Sequence, residues 1–331
     1  MMIKKIKIIL FMLIVTGSTL AIANDNNSKS DLTIGEGVNS KITLLKKGTY
    51  LVAINRNKCE DEGKYPEYVQ TLLVSDNGNS IKDLGLFRGS SCNTILSLAT
   101  LNKEDGKQEV IGTCTSDVKP KITSELSYFT IDVIDMETMV ATEYEKYSVG
   151  MESNILVVGD KVYEVHISYK GLEFEIIKPY PSFYRAIGGS YEKYRMFQPL
   201  YVENNPLYVE DSNVALLGIS NDEISIYDYN IYTYKGSSIA SGWSKVDANT
   251  YLSAKVLPNS EHNKFVTVAS YNNYLYLQTF DPVEKKKIAI KNFGPKKSSH
   301  PELIIDDDKL IILYTYEDSI KYVEENTPPA N

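Results

Sequence analysis

The residues best suited to chemistry in this 331-residue chain are four arginines, Arg56, Arg88, Arg185 and Arg195, with aromatic rings crowded around the last two. Between Lys178 and Pro199 stand Tyr180, Phe183, Tyr184, Tyr191, Tyr194 and Phe197, with Gly188-Gly189 separating the two arginines. A guanidinium is a planar fork of donors matched to carboxylates, and a ring face takes the apolar side of a sugar or a partner side chain. Together they are how surfaces hold protein carboxylates or anionic glycans. Tyr180, Phe183, Tyr184, Arg185, Tyr191, Tyr194 and Arg195 are therefore the candidate partner-binding residues, in a segment that breaks the strand rhythm. The plainer alternative is that these rings pack an irregular outer strand.

Catalytic patterns are weaker. Sialidase-type glycoside hydrolysis needs three arginines on a carboxylate, a Tyr-Glu nucleophile pair and an acidic proton donor. The arginines suffice in number, yet no Glu-Tyr pair is marked out locally, and 43 acidic residues make coincidental carboxylate pairs cheap. His166, His262 and His300 are scattered, and no serine or cysteine has a nucleophile setting. His166 reads as a strand histidine. Asp306-Asp307-Asp308 reads as a hairpin turn and not as a calcium loop. No metal and no cofactor is implied. Of the three cysteines, Cys59 and Cys92 lie in polar stretches and are the disulfide candidate, whereas Cys114 sits in an apolar strand pattern.

The elements that must position such residues form a repeat. Leu156-Val-Val-Gly-Asp-Lys-Val-Tyr163, Leu207-Tyr-Val-Glu-Asp-Ser-Asn-Val214 and Leu303-Ile-Ile-Asp-Asp-Asp-Lys-Leu310 are each an apolar run, a polar turn and a second run. Each predicts a hairpin. The second strands begin at Thr49, Glu109, Lys161, Asn213, Lys264 and Lys309, giving six units about 50 residues apart. These runs predict strands buried on both faces, and the strands that follow them alternate as half-exposed strands do. A fourth strand follows in several units, as at Lys286 to Ile290 and Ser237 to Trp243. The last unit ends one strand short, and Lys41-Ile-Thr-Leu-Leu45 is the expected filler.

This pattern resembles the six-bladed β-propellers over roughly residues 35 to 325, without any family signature. Ser75-Asp76-Asn77-Gly78 is the nearest approach to a sialidase-type turn, and it lacks the tryptophan. The resemblance implies an all-β, six-bladed β-propeller of four-stranded antiparallel blades, with the ring closed by an N-terminal strand. Two stacked β-sandwich domains are the rival, and they leave the even spacing unexplained.

The ends bound the setting. Lys4, Lys5 and Lys7, an apolar run from Ile8 to Val15 and Ala21-Ile22-Ala23 make residues 1–23 a signal peptide, too short in its apolar part for a membrane span. Residues 24–34 are expected as a flexible lead-in, 35–325 as one propeller domain and 326–331 as a disordered tail. Cleavage near Ala23 implies a secreted or periplasmic protein. It also removes three lysines and no acid, moving the formal charge from −8 to −11. That sign excludes nucleic acid as the expected partner and suits a basic protein partner. The expected function is a non-catalytic binding protein, a scaffold or an inhibitor of the immunity type. A glycan-active enzyme of sialidase-like type, or a glycan-binding lectin, is the alternative.

Overall fold

The computed structural model describes residues 31–56, 69–86, 92–103, 106–116, 127–134, 136, 141–150, 153–158, 161–168, 171–178, 183–188, 194–203, 213–220, 223–230, 236–240, 250–258, 260, 264–271, 274–281, 284 and 286–329. Strand β1 (Leu32–Glu36) comes first in the chain, and six four-stranded sheets account for it and all the strands that follow.

The first sheet is β2 (Asn39–Lys46), β3 (Thr49–Asn55), β4 (Val69–Ser75) and β5 (Ser80–Leu86). The second is β6 (Cys92–Asn102), β7 (Gln108–Ser116), β8 (Ser127–Ile134) and β9 (Ala141–Gly150). The third is β10 (Ser153–Val158), β11 (Lys161–Ser168), β12 (Gly171–Lys178) and β13 (Phe183–Gly188). The fourth is β14 (Tyr194–Glu203), β15 (Asn213–Ser220), β16 (Glu223–Asn230) and β17 (Gly236–Ala240). The fifth is β18 (Tyr251–Val256), β19 (Phe265–Tyr271), β20 (Tyr274–Asp281) and β21 (Lys286–Phe293). The last joins β22 (Ser299–Asp306), β23 (Lys309–Tyr316) and β24 (Ser319–Asn326) to β1, which pairs antiparallel with β24.

Each sheet is a chain of antiparallel hairpins, so short turns fix the register. The β4–β5 turn shows how. Asp76, Asn77 and Gly78 have φ of 53°, 54° and 84°, and Gly78 N–H donates to Ser75 O at 3.1 Å. A Cβ on Gly78 would come within 2.9 Å of Leu32 and 3.0 Å of the Tyr322 ring, so glycine is needed there twice over.

The second strands carry the core. In β3 every residue after Thr49 is buried, and in β23 every residue from Leu310 to Thr315 is. They face a neighbouring sheet on each side. Ile42, Tyr50, Val52 and Ile54 of the first sheet pack on Ile304, Ile311, Leu313 and Tyr322 of the last. Val266, Val268, Leu275 and Leu277 of the fifth pack on Leu303, Leu310, Ile312 and Tyr314 of the last. Full burial of such a side chain contributes about 1.5–3 kcal/mol.

The first strands neighbour one another in order: β2 with β6, β6 with β10, β10 with β14, β14 with β18, β18 with β22, and β22 with β2. Between them, side chains satisfy backbone groups that no ladder reaches. Asn55 accepts from Ile95 N–H at 2.8 Å and donates to Ile95 O at 2.9 Å. Ser97 Oγ accepts from Ile155 N–H at 3.1 Å, and Ser253 Oγ accepts from Leu303 N–H at 3.0 Å.

Three expectations change. The strand completing the last sheet is Leu32–Glu36, whereas Lys41–Leu45 lies within the first strand of the first sheet. Strand β1 thus begins three residues before the boundary read at residue 35. The aromatic segment after Lys178 is mostly strand, because Phe183–Gly188 pairs with β12 and Tyr194–Glu203 with β15. Cys114 is disulfide-bonded, so among three cysteines the Cys59–Cys92 bridge is displaced. Cys114 is drawn in because it lies at the seam of the first two sheets, packed with Ala53, Val69 and Ile95. Among the described residues no helix is long and apolar enough to cross a membrane.

Candidate functional site

Charged and aromatic side chains converge where β2, β18 and β22 run side by side. Along β18, Leu252, Ser253 and Ala254 are buried, while Tyr251 and Lys255 keep part of their surface exposed. Along β22, Leu303 and Ile304 enter the core, while Ser299, His300 and Glu302 stay partly exposed. Period-2 alternation puts Tyr251, Ser253 and Lys255 on one face of β18.

The start of β22 is bent out of register between Ser299 and Glu302. Pro301 has no N–H to give the ladder, and His300 takes φ of 48°, which non-glycine residues rarely adopt. The bend lays the His300 ring on the Tyr251 ring, with centroids 3.7 Å apart and planes 32° from parallel. His300 Nδ1 lies 3.0 Å from Ser299 Oγ. Glu302 accepts from the Lys41 ammonium of β2, an ion pair between residues 261 apart in sequence. Both partners keep about a fifth of their side-chain surface exposed, at 21% and 18%.

The electrostatics follow from crowding. Burial, with the Lys41 charge adding to it, pushes His300 down to about 4, so the ring is neutral at pH 7. Burial also pushes the Lys255 ammonium down; the Glu302 carboxylate opposes this and the Lys41 charge reinforces it. The place therefore offers a carboxylate oriented by an ion pair, a neutral imidazole and a flat ring face. Those groups suit proton transfer beside a bound sugar.

A second polar cluster lies between the second and third sheets. Ser153, Glu164 and His166 are all buried. Ser153 Oγ donates to Glu164 Oε1 at 2.7 Å, and His166 Nδ1 lies 3.7 Å from Glu164 Oε2. The hydroxyl is bonded to the carboxylate and not to the imidazole, which is the wrong order for a nucleophile and its base. Thr113 Oγ1 donates to Ser153 O at 3.3 Å across the seam. His166 is thus a core residue of β11.

Of the residues expected from sequence, those described stand on separate strands. Arg185, with Phe183 and Tyr184, lies on β13, the last strand of the third sheet, opposite Phe174. Arg195 follows Tyr194 on β14, the first strand of the fourth sheet, at a register shift. Arg56 donates to Gln70 Oε1 at 2.5 Å on an exposed surface. Tyr180, Tyr191, Arg88, His262 and Cys59 lie outside the described residues. Asp306 ends β22, and its carboxylate accepts from Gly48 N–H at 2.7 Å and from Tyr50 Oη at 2.6 Å. Among the described residues no three His, Cys, Asp or Glu side chains are grouped to hold a metal ion.

Sequence reasoning missed Lys41, Tyr251, Lys255 and Glu302. The signals were faint: a lysine inside an apolar alternation at Lys255, and a His-Pro-Glu run interrupting a strand at residues 300–302.

No protein-family model matches the chain, and no curated protein sequence matches it. Solved structures do. The α-L-arabinofuranosidase Arb93A of Fusarium graminearum, in complex with an iminosugar inhibitor, superposes with a TM-score of 0.58 at 12% identity, over 90% of this chain and 98% of that one. A Trypanosoma rangeli sialidase in complex with the inhibitor DANA gives a TM-score of 0.52 at 10% identity, over 90% of this chain and 56% of the sialidase. The structure named NanB plus Optactamide gives 0.54 at 8% identity, over 89% and 70% of the two chains. At these identities the likeness shows the fold, which is that of the all-β propeller glycosidases. The expectation of a non-catalytic binding scaffold is corrected here. Solved chains that share this fold include an α-L-arabinofuranosidase and a sialidase, against that expectation.

Proposed function

We propose that the chain is a glycan-active enzyme, a glycoside hydrolase working at the junction of β2, β18 and β22. The observation that carries this reading is a partly exposed carboxylate, Glu302, oriented by Lys41 on a first strand of a glycosidase fold. Its neighbours supply the rest of the setting. Tyr251 and His300 give a stacked face for the sugar ring, and the neutral His300 imidazole can pass a proton. Glycoside hydrolysis uses two carboxyl groups flanking the bond. Glu302 is assigned as one of them.

In this reading the six sheets are the blades of a six-bladed propeller, closed where β1 completes the sheet of β22 to β24. The cyclic contact of the first strands supports that closure. Residues 1–23 act as a signal peptide, and the enzyme works outside the cytoplasm on glycans.

The test is hydrolysis of a panel of aryl glycosides by the chain from Asn24 onward, with Glu302→Gln alongside. Turnover of at least one substrate, with kcat reduced about 100-fold or more in E302Q, is the expected result. Absence of turnover across the panel, or full activity of E302Q, would overturn the assignment.

A further inference from the structure

Between Lys285 and Pro301 the chain holds six lysines and neither Asp nor Glu, in a protein whose formal charge is −8. Lys286, Lys287 and Lys291 stand on β21, the last strand of the fifth sheet, which pairs with β20 alone. Lys296 and Lys297 follow in the connection that leads from β21 to β22. This strip is opposite in sign to the chain as a whole.

Lysines on an outer strand also keep sheets from pairing edge to edge, and Lys291 has an internal partner in Glu325. Neither reason covers Lys296 and Lys297. They are the two central residues of a turn closed by Ser298, whose N–H and Oγ both donate to Pro295 O, at 3.3 and 2.8 Å. Lys297 takes φ of 79°, the corner of a type II turn where glycine is the usual residue. Both lysines are exposed, and among the described residues neither is paired with a carboxylate. The turn thus presents two ammonium groups to solvent with no counter-charge of the protein's own.

The position of the turn says what would meet those charges. Lys297 is three residues from His300, so at most about 11 Å of backbone separates them. On the other side, the eight residues of β21 add a run of about 26 Å. One sugar cannot reach along that run, whereas a chain of sugars bearing repeated anionic groups can. Resting on the reading that a glycan is cut at the junction, we propose that Lys296 and Lys297, with the lysines of β21 behind them, bind a polyanionic glycan chain outside the sugar that lies at Glu302. Lysines act as point charges, so they hold the anionic groups of the chain without selecting their kind.

The experiment is biosensor titration of the chain from Asn24 onward against carboxymethyl dextran, unmodified dextran, and poly-L-glutamate of matched charge. The expected result is that carboxymethyl dextran binds at least about tenfold more tightly than dextran at low salt, and that high salt removes the difference. Lys296→Gln with Lys297→Gln should lose that advantage. Lys46→Gln with Lys47→Gln, an equally exposed pair at the β2–β3 turn, should keep it. Equal affinity for the two dextrans would overturn the proposal, as would undiminished binding by the K296Q/K297Q chain. Poly-L-glutamate binding as tightly as carboxymethyl dextran would overturn it too, giving the strip to an acidic polypeptide. The two readings fail separately. Turnover of aryl glycosides that depends on Glu302, without preference for the charged dextran, leaves the hydrolase and removes the strip. Lysine-dependent binding of the charged dextran without turnover of any glycoside does the reverse.

Discussion

Glu302 with His300 on β22, and Glu164 with His166 on β11, are the same arrangement in sequence: a carboxylate and an imidazole two residues apart on one strand. Their surroundings are opposite. Strand β11 is second in its sheet, covered on both sides, and Glu164 is closed in with the Ser153 hydroxyl. Strand β22 is first in its sheet, and Glu302 keeps surface exposed while Lys41 holds it. A strand's rank within its sheet thus decides whether such a pair is closed into the core or keeps surface exposed. Residue type does not.

The largest expected effect that would break this comparison is on stability. Glu164→Ala removes the acceptor of a buried hydroxyl and the neighbour of a buried imidazole. A loss of about 3 kcal/mol in urea unfolding is expected, with turnover per folded molecule unchanged. A loss under about 1 kcal/mol would say that the seam cluster is not a tie.

A second effect concerns the ring face. Tyr251→Ala should raise KM about tenfold with a smaller change in kcat, because stacking is made before and during reaction alike. Loss of kcat alone would move Tyr251 from binding to chemistry.

The third concerns pH. His300 is held near 4 in the folded chain, below its ordinary unfolded value of about 6.5. Between those values the unfolded state binds the additional proton, so this contribution is complete above about 6.5 and is lost as pH falls toward 4. Melting temperatures measured from pH 7.5 to 4 should fall less steeply in His300→Gln than in the parent. Parallel profiles would contradict the burial of this ring as the cause.

The smallest effect lies at the seam of the first and last sheets. Tyr50→Phe removes one of the two hydrogen bonds recorded at Asp306 Oδ2 and should cost about 1 kcal/mol without changing activity. An altered activity would show that this end of the seam reaches the junction.

The sheets were legible because their second strands are long apolar runs at even spacing, such as Lys309-Leu-Ile-Ile-Leu-Tyr. The strand that completes the last sheet was not. Leu32-Thr-Ile-Gly-Glu is short and weakly apolar, and its place rests on Ile34 entering the seam beneath Tyr322 and Leu313, which only the assembled fold displays. The segment after Lys178 was read as irregular because Pro179, Pro181 and Gly188-Gly189 punctuate it, yet tyrosine and phenylalanine are good strand formers and took the ladder positions. The junction itself was hidden for a different reason. Lys41, Lys255 and Glu302 come from three sheets, and nothing local links them until β2 meets β22.

The central claim is that exposure on a first strand separates the two carboxylates in role. The most direct measurement is therefore Glu302→Gln and Glu164→Gln side by side, each assayed for turnover on a substrate that the parent hydrolyses and for melting temperature. E302Q should lose turnover about 100-fold or more and keep its melting temperature, while E164Q should melt lower and keep its turnover per folded molecule. The reverse pattern, or equal loss of turnover in both, would contradict the account.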